Sequence, residues 1–177
     1  MGKAAVFLDR DGVLNEAIIV EGKPYPPKNI QELVIKPDAY AALKKLKEAG
    51  FYLFVVTNQP DVARGTTSMA EVESLNNALQ KALPMIDKIY TCFHDNKDHC
   101  DCRKPLPGLF FQAQKEFDID LAKSVMIGDR WRDIEAGRAA GCKNIWLDFG
   151  YDEKKPEMFD FVTQSLNDAT DFILRRT

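Results

Sequence analysis

The fold is decided by the stretch Val6-Phe7-Leu8-Asp9-Arg10-Asp11-Gly12-Val13. Its apolar residues predict a buried parallel strand, and open α/β sheets bind ligands beyond the carboxyl ends of such strands. If the extended conformation continues to Asp11, the side chains of Asp9 and Asp11 lie on one side and Arg10 points away. Two carboxylates this close would repel each other, and a hard divalent cation would relieve that repulsion. The alternative interpretation is a strand that ends in an ordinary polar turn.

The composition is typical of a soluble globular protein. A chain of 177 residues, 45% hydrophobic and 29% charged, predicts one domain over residues 1–177 with a real core. The net charge of −3 argues against a nucleic-acid partner. The sequence has no apolar run of the ~20 residues that span a bilayer and no secretory signal, so we expect a cytoplasmic monomer without a membrane partner.

Apolar segments alternate with amphipathic segments along the chain. We predict strands at 6–8, 51–56, 88–93, 124–127 and 144–147, with a short strand near Phe161. Helices are predicted over 39–49, after the Ser68/Glu71 capping box, after Pro107-Gly108, and over 134–140 and 167–175. This alternation predicts a parallel sheet with helices on both faces.

The connection after the first strand, residues 13–36, is unusually long. It contains Pro24, Pro26 and Pro27, and it is longer than ordinary strand-to-helix loops. Because it leaves the carboxyl end of a strand, we predict a flap over the ligand site; the alternative is a loop packed on the surface.

Polar residues follow three of the predicted strands: Asp9 and Asp11, then Thr57 and Asn58, then Asp129. The carboxyl ends of parallel strands share one edge, so these side chains are expected to converge. Three aspartates from two strands form an oxygen ligand set that suits Mg²⁺ beside a phosphate. Thr57, Asn58 and the cation of Lys104 would hold the phosphoryl group. One carboxylate could then attack phosphorus while the other transfers protons.

Three of the four cysteines are clustered. Cys92, Cys100 and Cys102 form, together with His94, a Cys₃His set within eleven positions, which predicts a structural zinc site in the loop 92–102. The spacing alone also permits loop cysteines without a metal. The isolated Cys142 is interpreted as a small core residue.

Four motifs together resemble the haloacid dehalogenase superfamily of phosphatases: Asp9-Arg10-Asp11-Gly12, Thr57-Asn58-Gln59, Cys102-Arg103-Lys104-Pro105 and Gly128-Asp129-Arg130-Trp131-Arg132-Asp133. The resemblance is closest to the D,D-heptose 1,7-bisphosphate phosphatase branch, which also includes histidinol-phosphate phosphatases, and it extends from Val6 to about Leu147. It implies an α/β fold, a Rossmann-like three-layer sandwich with a mostly parallel central sheet, no large cap domain and a small zinc-binding loop.

The resemblance also implies roles for individual residues. Asp9 would be the nucleophile and Asp11 the general acid/base, with Mg²⁺ held by Asp9, the backbone carbonyl of Asp11 and Asp129. Asp133 would support this metal site. The phosphate and the rest of the substrate would be bound by Thr57, Asn58, Gln59, Arg103, Lys104 and Arg130. The same branch carries a zinc loop, which favours His94 over His99 as the fourth zinc ligand.

The implied reaction is hydrolysis of a phosphorylated sugar, D-glycero-D-manno-heptose 1,7-bisphosphate, to the heptose 1-phosphate through an aspartyl-phosphate. The alternatives are a histidinol-phosphate phosphatase and, from another class, a phospho-acceptor signalling domain. Two features of the sequence depart from this branch, and both concern the part of the site that would contact the sugar. Pro60-Asp61 replaces the usual Ser-Gly, and residues 17–20 are mostly aliphatic where polar and aromatic substrate contacts are common.

Overall fold

The computed structural model describes residues 2–176 as an α/β fold. Its strands are β1 Ala5–Leu8, β2 Ile18–Val20, β3 Lys23–Tyr25, β4 Tyr52–Asn58, β5 Lys88–Cys92, β6 Val125–Gly128, β7 Lys143–Leu147 and β8 Phe161–Thr163. Its α-helices are α1 Ala39–Glu48, α2 Met69–Ala82, α3 Gly108–Phe117, α4 Trp131–Ala139 and α5 Leu166–Leu174. Short 3₁₀ turns lie at Ile30–Glu32, Asn96–Asp98 and Leu121–Lys123.

Six strands form one sheet in the order β5-β4-β1-β6-β7-β8, and every pairing in it is parallel. The central position belongs to β1, whose four residues are all fully buried. The chain first builds the sheet on one side of β1 with β4 and β5, and then on the other side with β6, β7 and β8. The strand order therefore reverses next to β1, and in such sheets ligands bind in the crevice beyond the carboxyl ends of the strands at this point.

The sheet separates two apolar cores. Val6 and Leu8 of β1 face a core completed by α1, α5 and the end of α2, whereas Ala5 and Phe7 face a core completed by α3 and α4. This division follows from the two-residue period of a strand, because a strand buried on both faces needs apolar residues at successive positions. The predicted three-layer arrangement is therefore confirmed.

The predicted connection after β1 contains a hairpin that the sequence analysis missed. Strands β2 and β3 pair in antiparallel fashion across a two-residue turn, Glu21-Gly22, in which both residues have positive φ. Such turns match the twist of a hairpin, but Glu21 is an uncommon residue for this position, and Pro24 lies inside β3. Because of these two residues, the sequence pattern did not predict the hairpin.

The other elements lie close to their predicted positions. Ser68 and Glu71 form the predicted capping box at the start of α2, and Gly50, with a φ of +94°, follows the end of α1. Helix α4 begins at Trp131 and not near residue 134, because the Asp133 side chain accepts the backbone N–H of Arg130 and so stabilises the first turn. Within residues 2–176, no helix combines the length and apolarity needed to cross a lipid bilayer.

Candidate active site

Asp9 lies at the carboxyl end of β1, on the floor of the crevice. Its backbone N–H still donates to the carbonyl of Ile127, so the strand geometry fixes its position. Its side chain is 10% exposed, and the carboxylate Oδ1 accepts from Lys104 Nζ at 2.9 Å. Asp9 is thus a buried, charge-paired carboxylate that directly follows the fully buried strand β1.

Three buried carboxylates cluster here. Asp9, Asp129 and Asp133 each offer an oxygen, and these oxygens lie within 4.8 Å of one another. Both oxygens of Asp133 already accept hydrogen bonds, Oδ1 from Lys104 Nζ at 2.6 Å and Oδ2 from the Arg130 N–H at 3.0 Å. Asp129 is different, because its Oδ1 is buried and has no hydrogen-bond partner among the described residues.

Two glycines make room for this cluster. A Cβ on Gly12 would lie 2.0 Å from Asp129 Oδ2, and a Cβ on Gly128 would lie 2.1 Å from the Cβ of Asp133. Gly12 also has a φ of +91°, which side-chain-bearing residues rarely adopt. The backbone is therefore shaped around the carboxylates, and any other residue at these two positions would displace them.

The electrostatics of the cluster favour a cation. Burial, followed by repulsion from Asp133, raises the pKa of Asp9 from 3.8 to about 6, although Lys104 opposes this rise. Burial and the neighbouring Asp9 raise the pKa of Asp129 well above its ordinary value. Burial disfavours the charged form of Lys104, but Asp133 and Asp9 outweigh it and raise the pKa of this lysine. The cluster thus has three buried carboxylates and one buried ammonium, which pairs with Asp9 and Asp133. The unpartnered oxygen of Asp129 is suited to bind a divalent cation.

The extended conformation does not continue to Asp11, so the condition set for the expected arrangement of Asp9, Arg10 and Asp11 is not met, although Asp9 and Asp11 both line the cavity and Arg10 does not. The Arg10 carbonyl accepts backbone N–H groups from Val13, Leu14 and Asn15, which turns the chain immediately after Asp9. Arg10 is fully buried, and its Nε and Nη2 each lie 3.1 Å from an Asp11 carboxylate oxygen. Asp11 still lines the cavity, but its carboxylate is not part of the three-carboxylate cluster.

The predicted residues after β4 are close to the cluster. Gln59 donates from Nε2 to Asp11 at 2.8 Å and to the Thr57 hydroxyl at 2.9 Å. Asn58 exchanges two hydrogen bonds of 3.0 Å with the Lys104 backbone, which attaches the Arg103-Lys104 segment to β4. Asn58 lines the cavity, whereas the buried Thr57 is not among its lining residues.

A cavity of about 260 Å³ opens above the carboxylates. Its floor contains Asp9, Asp133 and Lys104, and one wall is the hairpin strand β3 with Lys23 and Tyr25. Pro60 and Asp61, the departure from the related sequences, also line it. The remaining cations at the wall and rim are the predicted Arg103 and Arg130 and the unpredicted Arg64 and Arg132.

The sequence analysis also missed Tyr151. Its hydroxyl donates to Asp129 Oδ2 at 2.9 Å, from the segment between β7 and β8. Lys23, Arg64 and Tyr151 do not directly follow the carboxyl ends of the strands of the large sheet, and no local sequence pattern marks them. Arg132 belongs to the motif at residues 128–133 that was identified in the sequence. Its position in the first turn of the helix that follows β6 and Asp129 could have predicted that it lines the cavity.

The four predicted zinc-loop residues do converge, and their ligand atoms lie within 4.8 Å of one another. The Cys92 Sγ is 3.7 Å from both the His94 Nδ1 and the Cys100 Sγ, and the His94 Nδ1 is 3.3 Å from the Cys102 Sγ. The arrangement is compatible with a metal site. His99 is exposed, as expected, and Cys142 is buried in the core.

This loop also supports Arg103. Arg103 donates from Nε to Asn96 Oδ1 at 2.8 Å and from Nη1 to the His94 carbonyl at 3.3 Å. The Asp95 carboxylate pairs with Arg64 at 2.8 Å and lies 3.8 Å from Arg103 Nη2. The Cys/His loop therefore holds one arginine of the cavity directly and links it to a second.

Comparison with known proteins agrees with this geometry. The chain matches the haloacid dehalogenase-like hydrolase family over residues 18–141. It is 39% identical over 154 residues to the D-glycero-β-D-manno-heptose-1,7-bisphosphate 7-phosphatase of Haemophilus ducreyi, a match that covers 81% of each chain. It is 35% identical to the enzyme of the same name from Vibrio cholerae, over 99% of this chain and 98% of the other.

A solved structure is similar as well. The D,D-heptose 1,7-bisphosphate phosphatase of Bordetella bronchiseptica, complexed with magnesium and phosphate, superposes with a TM-score of 0.84 at 29% identity. That match covers 98% of this chain and 99% of the other. The chain belongs to the haloacid dehalogenase-like hydrolase family. Within that family, its similarity to heptose-bisphosphate phosphatases over most of its length identifies its enzyme class as phosphatase.

Proposed function

We propose that the protein is a Mg²⁺-dependent phosphatase that removes the 7-phosphate of D-glycero-D-manno-heptose 1,7-bisphosphate. The observation that carries the proposal is the unpartnered buried oxygen of Asp129. Asp129 lies in a cluster with Asp9 and Asp133, and these two carboxylates line a cavity that has arginines at its rim. The names of the relatives support the substrate, and the magnesium and phosphate in the Bordetella structure support the metal.

Mg²⁺ would be held by the carboxylates of Asp9 and Asp129 and by the backbone carbonyl of Asp11. When bound, it would neutralise the carboxylate cluster and polarise the phosphate oxygens. The two hydrogen bonds accepted by Asp133 support a positioning role for this residue, since they leave it less available as a ligand.

In the proposed reaction, Asp9 attacks phosphorus and forms an aspartyl-phosphate as the bond to the sugar oxygen breaks. Lys104 fixes Oδ1 of Asp9, and no donor within residues 2–176 occupies Oδ2. Asp11 gives a proton to the departing sugar oxygen and then takes one from the water that hydrolyses the aspartyl-phosphate. Phosphate release regenerates both aspartates in their starting forms.

The rest of the cavity suits an anionic substrate better than a cationic one. Burial lowers the pKa of Arg132, and repulsion from the neighbouring Arg103 and Arg130 lowers it further, although Glu153 and Asp133 oppose this. A second phosphate would relieve that repulsion, whereas the ammonium group of histidinol phosphate would add to it. The buried Thr57 and Gln59 would act mainly through Asp11, to which Gln59 donates.

The substrate is tested by steady-state phosphate release from both anomers of the heptose bisphosphate, from heptose 1-phosphate and from histidinol phosphate. We expect the highest kcat/KM for a bisphosphate, and Arg132→Met should raise its KM about tenfold or more. Arg138→Met is the control, because Arg138 is an exposed residue of the same helix. Equal kcat/KM for histidinol phosphate would contradict the proposal. Turnover itself separates a phosphatase from a phospho-acceptor domain, which would retain its aspartyl-phosphate.

We also propose a structural zinc ion bound by Cys92, His94, Cys100 and Cys102. Burial opposes ionisation of Cys100, but hydrogen bonds, led by that from the Arg103 N–H, lower the pKa of this thiol to about 7. Protein purified without added metal should contain about one zinc per chain, and Cys100→Ser should lose it. Cys142→Ala, the matched control, should keep its zinc. A zinc-free wild-type protein that is still folded and active would refute this assignment.

Three broader expectations remain predictions. We propose that residues 1–177 act as one domain in which residues 13–36 form the flap, and that the protein is a cytoplasmic monomer. The flap is supported by the contact of β3 with the cavity. Size-exclusion chromatography with light scattering, and cell fractionation, would test the monomer and the location.

A further inference from the structure

The segment after β7 contacts the active site with three consecutive residues. Tyr151 donates to Asp129, the Asp152 N–H donates to the Gly22 carbonyl at the hairpin tip at 2.9 Å, and Glu153 accepts from Arg130 Nε at 3.0 Å. These contacts reach three different elements, namely the loop after β6, the β2–β3 turn and the start of α4. The segment is therefore fixed at Tyr151 and on its carboxyl-terminal side.

The turn that begins this segment is well defined. Gly150 has a φ of +72°, and its N–H donates to the Asp148 carboxylate at 3.0 Å. The Tyr151 ring lies 6.0 Å from that of Phe149, measured between centroids. The tyrosine is thus half-buried against the site, with its hydroxyl directed at Asp129.

The hydrogen bond from Tyr151 distinguishes the two oxygens of Asp129. Oδ2 is occupied by the Tyr151 hydroxyl, while Oδ1 is buried and free of any described partner. The same hydroxyl would lie 3.1 Å from a Cβ on Gly12, so the glycine, the tyrosine and the carboxylate share one tightly packed space. In this arrangement Oδ1 is the oxygen of Asp129 that a cation can bind without competing with a hydrogen bond.

We propose that Tyr151 is a positioning residue that restricts Asp129 to single-oxygen metal coordination and so makes the site selective for Mg²⁺. The inference rests on the proposed function, because it takes Asp129 as a metal ligand. Mg²⁺ requires near-octahedral geometry with short bonds, whereas the larger Ca²⁺ accepts a carboxylate through both of its oxygens. Occupying Oδ2 therefore disfavours the coordination that Ca²⁺ would otherwise use.

The test is Tyr151→Phe, which removes the hydroxyl and keeps the ring. Tyr40→Phe, on the exposed surface of α1, is the matched control, and Asp129→Asn identifies the metal site. Mg²⁺ and Ca²⁺ dissociation constants are measured by calorimetry on the zinc-loaded protein, without substrate. Activity is then measured over a range of Mg²⁺ concentrations.

We expect Tyr151→Phe to weaken Mg²⁺ binding by about 10- to 100-fold and Ca²⁺ binding less, so that the preference for Mg²⁺ falls. Saturating Mg²⁺ should restore most of kcat, and the KM for substrate should stay unchanged. Unchanged Mg²⁺ and Ca²⁺ constants in Tyr151→Phe would overturn the inference while the proposed function stands. Failure of the wild-type protein to bind Mg²⁺, or undiminished binding by Asp129→Asn, would overturn both.

Discussion

Replacing the proposed nucleophile, Asp9→Asn, should abolish turnover and also stabilise the protein when Mg²⁺ is absent. The introduced amide could still accept a hydrogen bond from Lys104, but it would no longer be a buried charge next to Asp129 and Asp133. The variant thus removes the charge of Asp9 and keeps the size and shape of its side chain, so that the effect of the charge can be measured alone.

The structure gives the size of this effect. A pKa raised from 3.8 to about 6 on a side chain that is 10% exposed corresponds to a cost of about 3 kcal/mol in the metal-free folded state. The folded state binds this proton more tightly than the unfolded state does. The penalty is therefore absent below about pH 4, grows between about pH 4 and 6, and is complete above that range. Asp9→Asn should exceed the wild type by about 3 kcal/mol at about pH 8 and by roughly half as much at about pH 5.

The assay is urea unfolding of protein dialysed free of Mg²⁺, without a chelator strong enough to remove zinc. Asp101→Asn, at an exposed position, is the control for loss of one negative charge. Saturating Mg²⁺ should reverse the order, because it stabilises only a folded state that binds it. The reasoning is refuted if metal-free Asp9→Asn is no more stable than the wild type at about pH 8, or if the difference does not depend on pH.

Three further outcomes follow from individual contacts in the structure. Lys104→Met should abolish activity and lower the free energy of unfolding at neutral pH by about 3–5 kcal/mol, measured by urea unfolding, because Asp9 and Asp133 lose a buried cation. Gly12→Ala should weaken Mg²⁺ binding in calorimetry by about tenfold or more, since its Cβ would displace the Asp129 carboxylate; an unchanged constant would contradict the geometry at Gly12. Ser68→Ala should lower stability by about 1 kcal/mol through loss of the α2 cap while kcat/KM stays at the wild-type value, which makes it a control for stability alone.

Most of the fold was predictable because its signals are local. Strands β1, β4 and β6 of the large sheet are mostly apolar segments, and glycines or capping residues mark the ends of helices. The β2–β3 hairpin was not predictable, because its turn uses Glu21 in a left-handed conformation and one strand contains proline. Its position depends on a partner far away in the chain, the Asp152 N–H that binds the Gly22 carbonyl.

The sequence by itself determined the chemistry available at the site. Aspartates, a threonine, an asparagine and a lysine follow strands or loops that a parallel sheet must bring to one edge, and the Cys/His spacing indicated the second cluster. Only the tertiary structure decided which of these groups form hydrogen bonds with each other and which remain free to bind a cation. In the structure, Asp11 pairs with Arg10, and both carboxylate oxygens of Asp133 accept hydrogen bonds. One oxygen of Asp129 accepts from Tyr151, and the other has no described partner. These contacts join residues that are distant in sequence, so the spacing of side chains along the chain does not predict them.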